Sequence, residues 1–501
     1  MCTQRLLTKL TVTAWMLAMS VAATASNPVV VENANPGTAA WQLSDPATNR
    51  EIEGYASAPS ANRLQSLALY VNTQDAWFTV SVYRMGWYGG LGGRQVLGPV
   101  TVPGTVQTMP VMDPATGLLE CNWKKSYSLI VPAWWVSGIY LAKLTGVSGK
   151  QSYIIFAVRD DARASDFLFQ QSVTTYEAYN NWPGTGVGKS LYSWQSNGGA
   201  ANHVSFNRPY AMGIQAASKW GVGAGDFLTN TQQETAPAGW EYNMVRFLEK
   251  EGYDVTYATS IDTHTNAAAL LPHKGILSVG HDEYWSYQMR SNIEAARDKG
   301  VNLAFFASNV CYKQIRLQPD SRGVANRTII CYRENPQLDP YFLDGDPSND
   351  YLITTSWRLL QAIAPSGKPS EDALVGVLYI NDPVQGPMTV ADTTSAPWVF
   401  AGTGLTPGDS LAGLVGYEGD GLGPNTPAGT ILLFASPIGP LVYYCSVYTA
   451  ASGATVFATG TMQWSFGLDD YNAGTGPNLR ASLLNPAAQQ ITRNVLAKFK
   501  L

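Results

Sequence analysis

The chain has 501 residues, 45% hydrophobic and 14% charged, with 32 Lys and Arg against 37 Asp and Glu. It is long enough to bury more than one core, and its net negative charge excludes nucleic acid as a partner, which would require a basic face. The 47 Gly, 15 Trp and 26 Tyr suit a strand- and loop-rich exported protein.

Residues 1–25 read as a signal peptide. Arg5 and Lys9 precede an apolar run from Leu10 to Ala23, and Ala23-Thr24-Ala25 has the small-x-small form of a cleavage site. The alternative, an N-terminal membrane anchor, needs a longer apolar run. Cleavage would remove two cations and no anion, so the 32 basic residues become 30 against 37 acidic ones. The expected product is secreted or periplasmic, with no stable membrane association. Of the cysteines, Cys121, Cys311, Cys331 and Cys445 would remain. An oxidising compartment permits a disulfide; Cys311 and Cys331 are the closest pair in sequence, but the pairing is not specified.

Residues 26–50 are polar and rich in Pro and Asn, which predicts a flexible lead-in. From 51 to 160, short runs with period-two alternation (66–71, 77–84, 126–131, 138–144 and 152–158) predict an all-β sandwich. A charged stretch, Arg159 to Arg163, marks the boundary to an α/β domain over 161–501. There, a strand at 167–170 leads into a polar loop region over 174–233. A helix follows from Glu241 to Gly252, then a strand at 254–257. A βαβ unit comes next: strand Ile276 to Val279, a helix capped by Ser286 and closed by Gly300, and strand Val301 to Phe306. The sheet should therefore be mainly parallel. Ligands in such sheets bind beyond the carboxyl ends of the strands, which places His281, Asp282, Glu283, Ser308, Asn309 and Cys311 on one rim. Further strands are expected at 373–379, 414–417, 430–435 and 454–459, before a terminal helix over 486–499.

The four histidines form no HExxH pair, and neither a GxSxG elbow nor a GxxxxGK[ST] loop occurs. Cys311 with His281 offers a nucleophile and base, against the plainer reading of a buried cysteine. Phenol and carboxylate chemistry is richer. Residues 174–182 crowd tyrosines and amides after a strand, Asn207 to Tyr210 add another tyrosine, and with Glu283 they are the oxygen donors that favour a hard ion such as Fe(III). Each tyrosine taken alone reads as a packed aromatic.

Gly280-His281-Asp282-Glu283-Tyr284-Trp285, Ser308-Asn309-Val310-Cys311-Tyr312, Cys331-Tyr332-Arg333, Ala178-Tyr179-Asn180, Ser190-Leu191-Tyr192, Asn207-Arg208-Pro209-Tyr210, Gly416-Tyr417-Glu418 and Gly467-Leu468-Asp469 occur in order. Together they resemble the large (beta) subunit family of N,N-dimethylformamidase. The resemblance implies a glutamine-amidotransferase-like fold and a mononuclear iron held by Tyr179, Glu283 and a second tyrosine, placed at Tyr210 with Tyr192 as the alternative. It implies His281 and Asn309 beside the site as hydrogen-bond donors, Glu418 as the proton-transfer carboxylate, and Arg333 where the family has a lysine. Lys313, a lengthened turn after Trp182 and the leader depart from the pattern. The expected function is hydrolysis of a small amide, and a homo-oligomer is compatible with the sequence. The competing expectations are an inactive binding or structural protein on the same scaffold and a Cys311-dependent hydrolase.

Overall fold

The computed structural model describes residues 27–184, 186–211, 222–228, 240–364, 367–474 and 480–501. The leader read from residues 1–25 lies outside them, as does part of the 174–233 region.

The expected lead-in is instead ordered. Pro28–Asn33 forms a helix, α1, with Pro28 in its first turn and the Asn27 side chain accepting from Val29 N at 2.9 Å. Its polar residues find partners far along the chain: Arg94 Nε donates to Glu32 at 2.6 Å, and Asn33 donates to Glu249 at 2.7 Å. Trp41 is buried beyond it. Composition alone does not reveal such distant partners.

Eight strands follow: β1 (Ile52–Ala56), β2 (Ser60–Asn62), β3 (Ser66–Thr73), β4 (Trp77–Met85), β5 (Gly93–Pro103), β6 (Tyr127–Ile130), β7 (Gly138–Gly146) and β8 (Gln151–Arg159). They form a three-stranded sheet, β1-β3-β6, and a five-stranded sheet, β2-β8-β7-β4-β5. The alternation read in β3 and β4 is real: Leu67, Leu69 and Val71 meet Phe78, Val80 and Val82, with Tyr140, Ala142 and Leu144 of β7, in one core between the sheets. The other face of the larger sheet is buried too. Tyr83, Met85, Ile139, Leu141, Tyr153 and Ile155 pack in a core shared with Phe167, Phe169, Val245, Leu248 and Tyr257 of the second half. A strand buried on both faces reads as a continuous apolar run, as β7 and β8 do.

The second half contains β9 (Phe167–Gln171), α2 (Val173–Tyr179), β10 (His203–Ser205), α3 (Trp240–Lys250), β11 (Val255–Thr259), α4 (Ser260–Thr265), β12 (Gly275–His281), β13 (Tyr284–Ser286), α5 (Tyr287–Asp298), β14 (Asn302–Ser308), β15 (Lys313–Gln318) and β16 (Thr328–Ile330). After several short helical turns come β17 (Leu378–Thr389), β18 (Ser410–Gly421), β19 (Ile431–Ile438), β20 (Leu441–Thr449) and β21 (Thr455–Ala458), then a helix over Pro486–Phe499. One seven-stranded sheet runs β11-β9-β12-β14-β21-β20-β19. Its first five strands are parallel, and β20 and β19 complete one edge antiparallel. The protein is thus multi-sheet and mixed α/β, with more strand than helix.

The strand expected at 373–379 begins as a helix, Asp372–Val375, stopped by Gly376 at φ 93°, and the strand starts only at Leu378. The polar loop region opens with α2. All four described cysteines are free and buried. None of the described helices is long and apolar enough to cross a membrane.

Candidate active site

The βαβ unit β12-α5-β14 fixes the rim. Ser286 caps α5, accepting from Met289 N at 3.0 Å. Gly280 sits at φ 73°, and a Cβ there would come within 2.6 Å of Trp240 Cβ, so only glycine lets the strand turn against α3. The turn then presents His281 and Glu283 on one side, while Asp282 points away to accept from Gln170 at 2.7 Å and Ser278 at 2.9 Å.

Helix α2 is pinned to this turn. Thr174 Oγ1 donates to Tyr284 O at 2.7 Å, and Glu283 N donates to Thr175 Oγ1 at 3.0 Å. Tyr179, in the last turn of α2, donates to Glu283 Oε2 at 2.7 Å. The 190–196 loop folds over the end of the helix: Leu191 N donates to Ala178 O and Gln195 Nε2 to Tyr179 O. That latch stacks the Tyr192 ring on Tyr179 at 4.2 Å and places its Oη 2.5 Å from Tyr179 Oη and 2.8 Å from Glu283 Oε2. Tyr284 Oη donates to Tyr192 Oη at 2.7 Å, and Arg333 Cζ lies 3.7 Å from the Tyr192 ring centre.

Tyr210 is elsewhere. Arg208 pairs with Glu177 at 2.6 Å, and Glu177 precedes Tyr179 by two positions, so it lies on another side of α2. Tyr210 accordingly sits beside Tyr176, with ring centres 6.1 Å apart, in a small cavity lined by Gln171, Arg208 and Arg327. The tyrosine brought to Tyr179 and Glu283 is Tyr192, the alternative position.

From the other side, His281 Nε2 stands 3.3 Å from Glu283 Oε2 and 3.5 Å from Glu418 Oε2 of β18. Asp420 holds the neighbouring turn, accepting from Ser308 Oγ at 2.6 Å and Asn309 N at 3.0 Å, with Asn309 at φ 53°. His281, Asn309, Glu283 and Glu418 are all buried. Both ring nitrogens of His281, Asn309 Oδ1 and Glu418 Oε2 have no hydrogen-bond partner among the described residues. Buried polar atoms left open in one place mark where a polar ligand belongs.

The charges are ordered by burial and by one another. Burial pushes Glu418 up, with the Glu283 charge adding to this against His281, to about 8. Burial would lower His281, but the Glu418 and Glu283 carboxylates more than offset it and raise the imidazole to about 9. Burial would raise Glu283, yet the His281 imidazole 3.3 Å away, followed by the Arg333 charge, holds it below the ordinary carboxylate range. Burial, reinforced by the Glu283 charge, pushes the Tyr179 and Tyr192 phenols far up.

Tyr179 Oη, Tyr192 Oη and Glu283 Oε2 form a triangle with edges of 2.5, 2.7 and 2.8 Å. Three oxygens bound at right angles to a small hard ion at about 2 Å would be ~2.8 Å apart. The donor set and its spacing therefore fit such an ion. Cys311 is not part of this constellation. It is buried in the apolar cluster around Trp285 and Trp357, and burial pushes its thiol far up, so no thiolate is available. Tyr284 and Asp420 are contacts that residue patterns do not single out, although Tyr284 stands in the His-Asp-Glu-Tyr motif; Arg333 of the Cys-Tyr-Arg motif is the position that the resemblance marked.

A mixed α/β protein with a buried phenol–carboxylate centre at the carboxyl rim of its main sheet is thus defined. The chain belongs to the N,N-dimethylformamidase beta subunit-like family, whose C-terminal model matches residues 79–477. Comparison with curated proteins gives no match. Among solved structures, a cycloisomaltooligosaccharide glucanotransferase from Paenibacillus sp., complexed with cycloisomaltoheptaose, is 9% identical over 68% of this chain and 61% of that one, with a TM-score of 0.16. The chain spans about three fifths of that protein, and the likeness establishes no shared fold.

Proposed function

We propose that the protein is a secreted, metal-dependent hydrolase of a small amide, with Tyr179, Tyr192 and Glu283 holding a mononuclear iron, Fe(III) by the hardness of its donors. The oxygen triangle carries the reading. Bound there, the ion would supply Lewis acidity toward a carbonyl oxygen. Glu418, protonated near neutral pH, transfers a proton between water and the leaving amine, since its Oε2 is open and a carboxyl near pKa 8 is matched to that task. His281 and Asn309 donate hydrogen bonds where negative charge develops, at about 3 kcal/mol for a good donor. Trp240, its ring 6.5 Å from His281, helps to keep bulk water away. The enclosure of every polar group favours a small substrate. On this reading the first two sheets are a β-sandwich carrying an amidotransferase-like sheet, and the family's substrate class, formamides, is the natural first assay.

The test is elemental analysis with a visible spectrum, followed by amine release from simple formamides before and after iron removal. Near-stoichiometric iron, a tyrosinate-to-iron band and iron-dependent turnover are expected. Amide hydrolysis by a protein that never contained iron would sink the metal reading. Export is tested separately by mass spectrometry of the mature protein, which should begin near Ser26.

A further inference from the structure

Tyr179 and Tyr192 approach the same Glu283 oxygen at 2.7 and 2.8 Å, yet their surroundings differ. Tyr192 alone receives the Tyr284 hydroxyl at 2.7 Å and lies under the Arg333 guanidinium at 3.7 Å. The ring neighbours of Tyr179 are Tyr192, His281 and an edge-on Tyr284, and among the described residues no arginine or lysine stacks on it.

Arg333 is held in this position. Its backbone is left-handed at φ 51°, and Nη1 donates to Leu191 O at 2.8 Å, one residue before Tyr192. Beyond Glu283 and the tyrosines around it, its charge is little used. The Nε is buried without a partner, and Glu334, 62% exposed, stands 3.8 Å away and is taken up by Lys313 at 2.5 Å. A guanidinium so placed acts on the ring beneath it.

We infer that Arg333 and Tyr284 are positioning residues that stabilise negative charge on Tyr192 more than on Tyr179, so that the two phenols are inequivalent donors to a cation. This rests on the metal-holding reading above. A hydrogen-bond donor and a cation both draw electron density from a phenolate oxygen, and such outer contacts tune a ligand set. Their removal makes Tyr192 the richer donor, which lowers the energy of its charge transfer to Fe(III).

The experiment compares wild type, Tyr284→Phe, Arg333→Met and Arg333→Lys, each loaded with Fe(III) and checked for folding by thermal melting. The visible band should move to longer wavelength in Tyr284→Phe and Arg333→Met, with iron affinity falling by about 10- to 100-fold. Arg333→Lys, which keeps the charge, should return the band toward wild type. A coloured wild type whose iron-loaded variants show an unmoved band overturns this inference alone. A wild type that neither contains nor takes up iron overturns the metal reading, and this inference with it. If Arg333→Met does not fold, Tyr284→Phe decides, because it deletes one hydroxyl only.

Discussion

His281 Nε2 faces Glu418 Oε2 at 3.5 Å, and neither atom has a hydrogen-bond partner among the described residues. The two are held in close contact, while Glu283, 3.3 Å from the same nitrogen, belongs to the phenol cluster. On the proposed reading metal holding and proton transfer fall on different carboxylates, and they should be separable.

Glu418→Gln keeps the shape of the side chain and loses the transferable proton. The variant should keep its iron and visible band while amide hydrolysis falls by about 10²- to 10⁴-fold. Metal content and kcat, measured on the same preparation, check this. Loss of colour in Glu418→Gln would place this carboxylate among the ligands.

Tyr192→Phe and Glu283→Ala should each lose the iron and its colour, because each removes a corner of the oxygen triangle. Tyr210→Phe should keep both, since its ring packs on Tyr176 in the cavity lined by Gln171, Arg208 and Arg327. The opposite pattern, with colour dependent on Tyr210, would move the second phenol donor from Tyr192 to Tyr210.

Glu241 supplies a pH signature outside the candidate site. Burial raises its carboxyl from 4.5 to about 8, with Tyr176 and Ser172 hydrogen-bonded to it. The folded state therefore keeps a proton that the unfolded chain gives up above about pH 4.5. This contribution to stability is full below that pH and is lost as pH rises toward 8, at up to about 1.4 kcal/mol per pH unit. Glu241→Gln cannot ionise, so it should gain stability relative to wild type between pH 5 and pH 8 in denaturant melts. A pH-independent difference would refute the assignment.

Arg84 and Glu249 form a fully buried pair, Nη2 to Oε1 at 2.7 Å, joining β4 to α3. Glu249→Ala strands the arginine charge and should cost about 3–5 kcal/mol. The double variant Arg84→Met/Glu249→Leu should recover most of that loss. Equal melting of Glu249→Ala and wild type would contradict the pairing.

The parts of the fold that announced themselves are those whose signals are local. Ile276 to Val279, the Ser286 cap and Gly300 define the strand, turn and helix around His281 and Glu283 without help from elsewhere. Helix α2 could not be read this way. It is short, contains the β-branched Val173, Thr174 and Thr175, and stands because Thr174 bonds to Tyr284 O and Ser260 Oγ across the fold. The choice between Tyr192 and Tyr210 turned on two tertiary latches, Gln195 onto the end of α2 and Arg208 onto Glu177, which leave no mark in spacing. The helix at Pro28–Asn33 was hidden for the same reason.

The five-stranded sheet buries both faces, one against its partner sheet and one against β11 and α3. That bears on how the chain can be cut. A fragment ending near residue 160 would present Tyr83, Met85, Ile139, Leu141 and Tyr153 to water as a flat apolar surface, with Arg84 stranded in its midst, and such a surface is an invitation to stick to its own copies. The boundary visible in the sequence is a change of architecture, and a truncation made there should yield insoluble material.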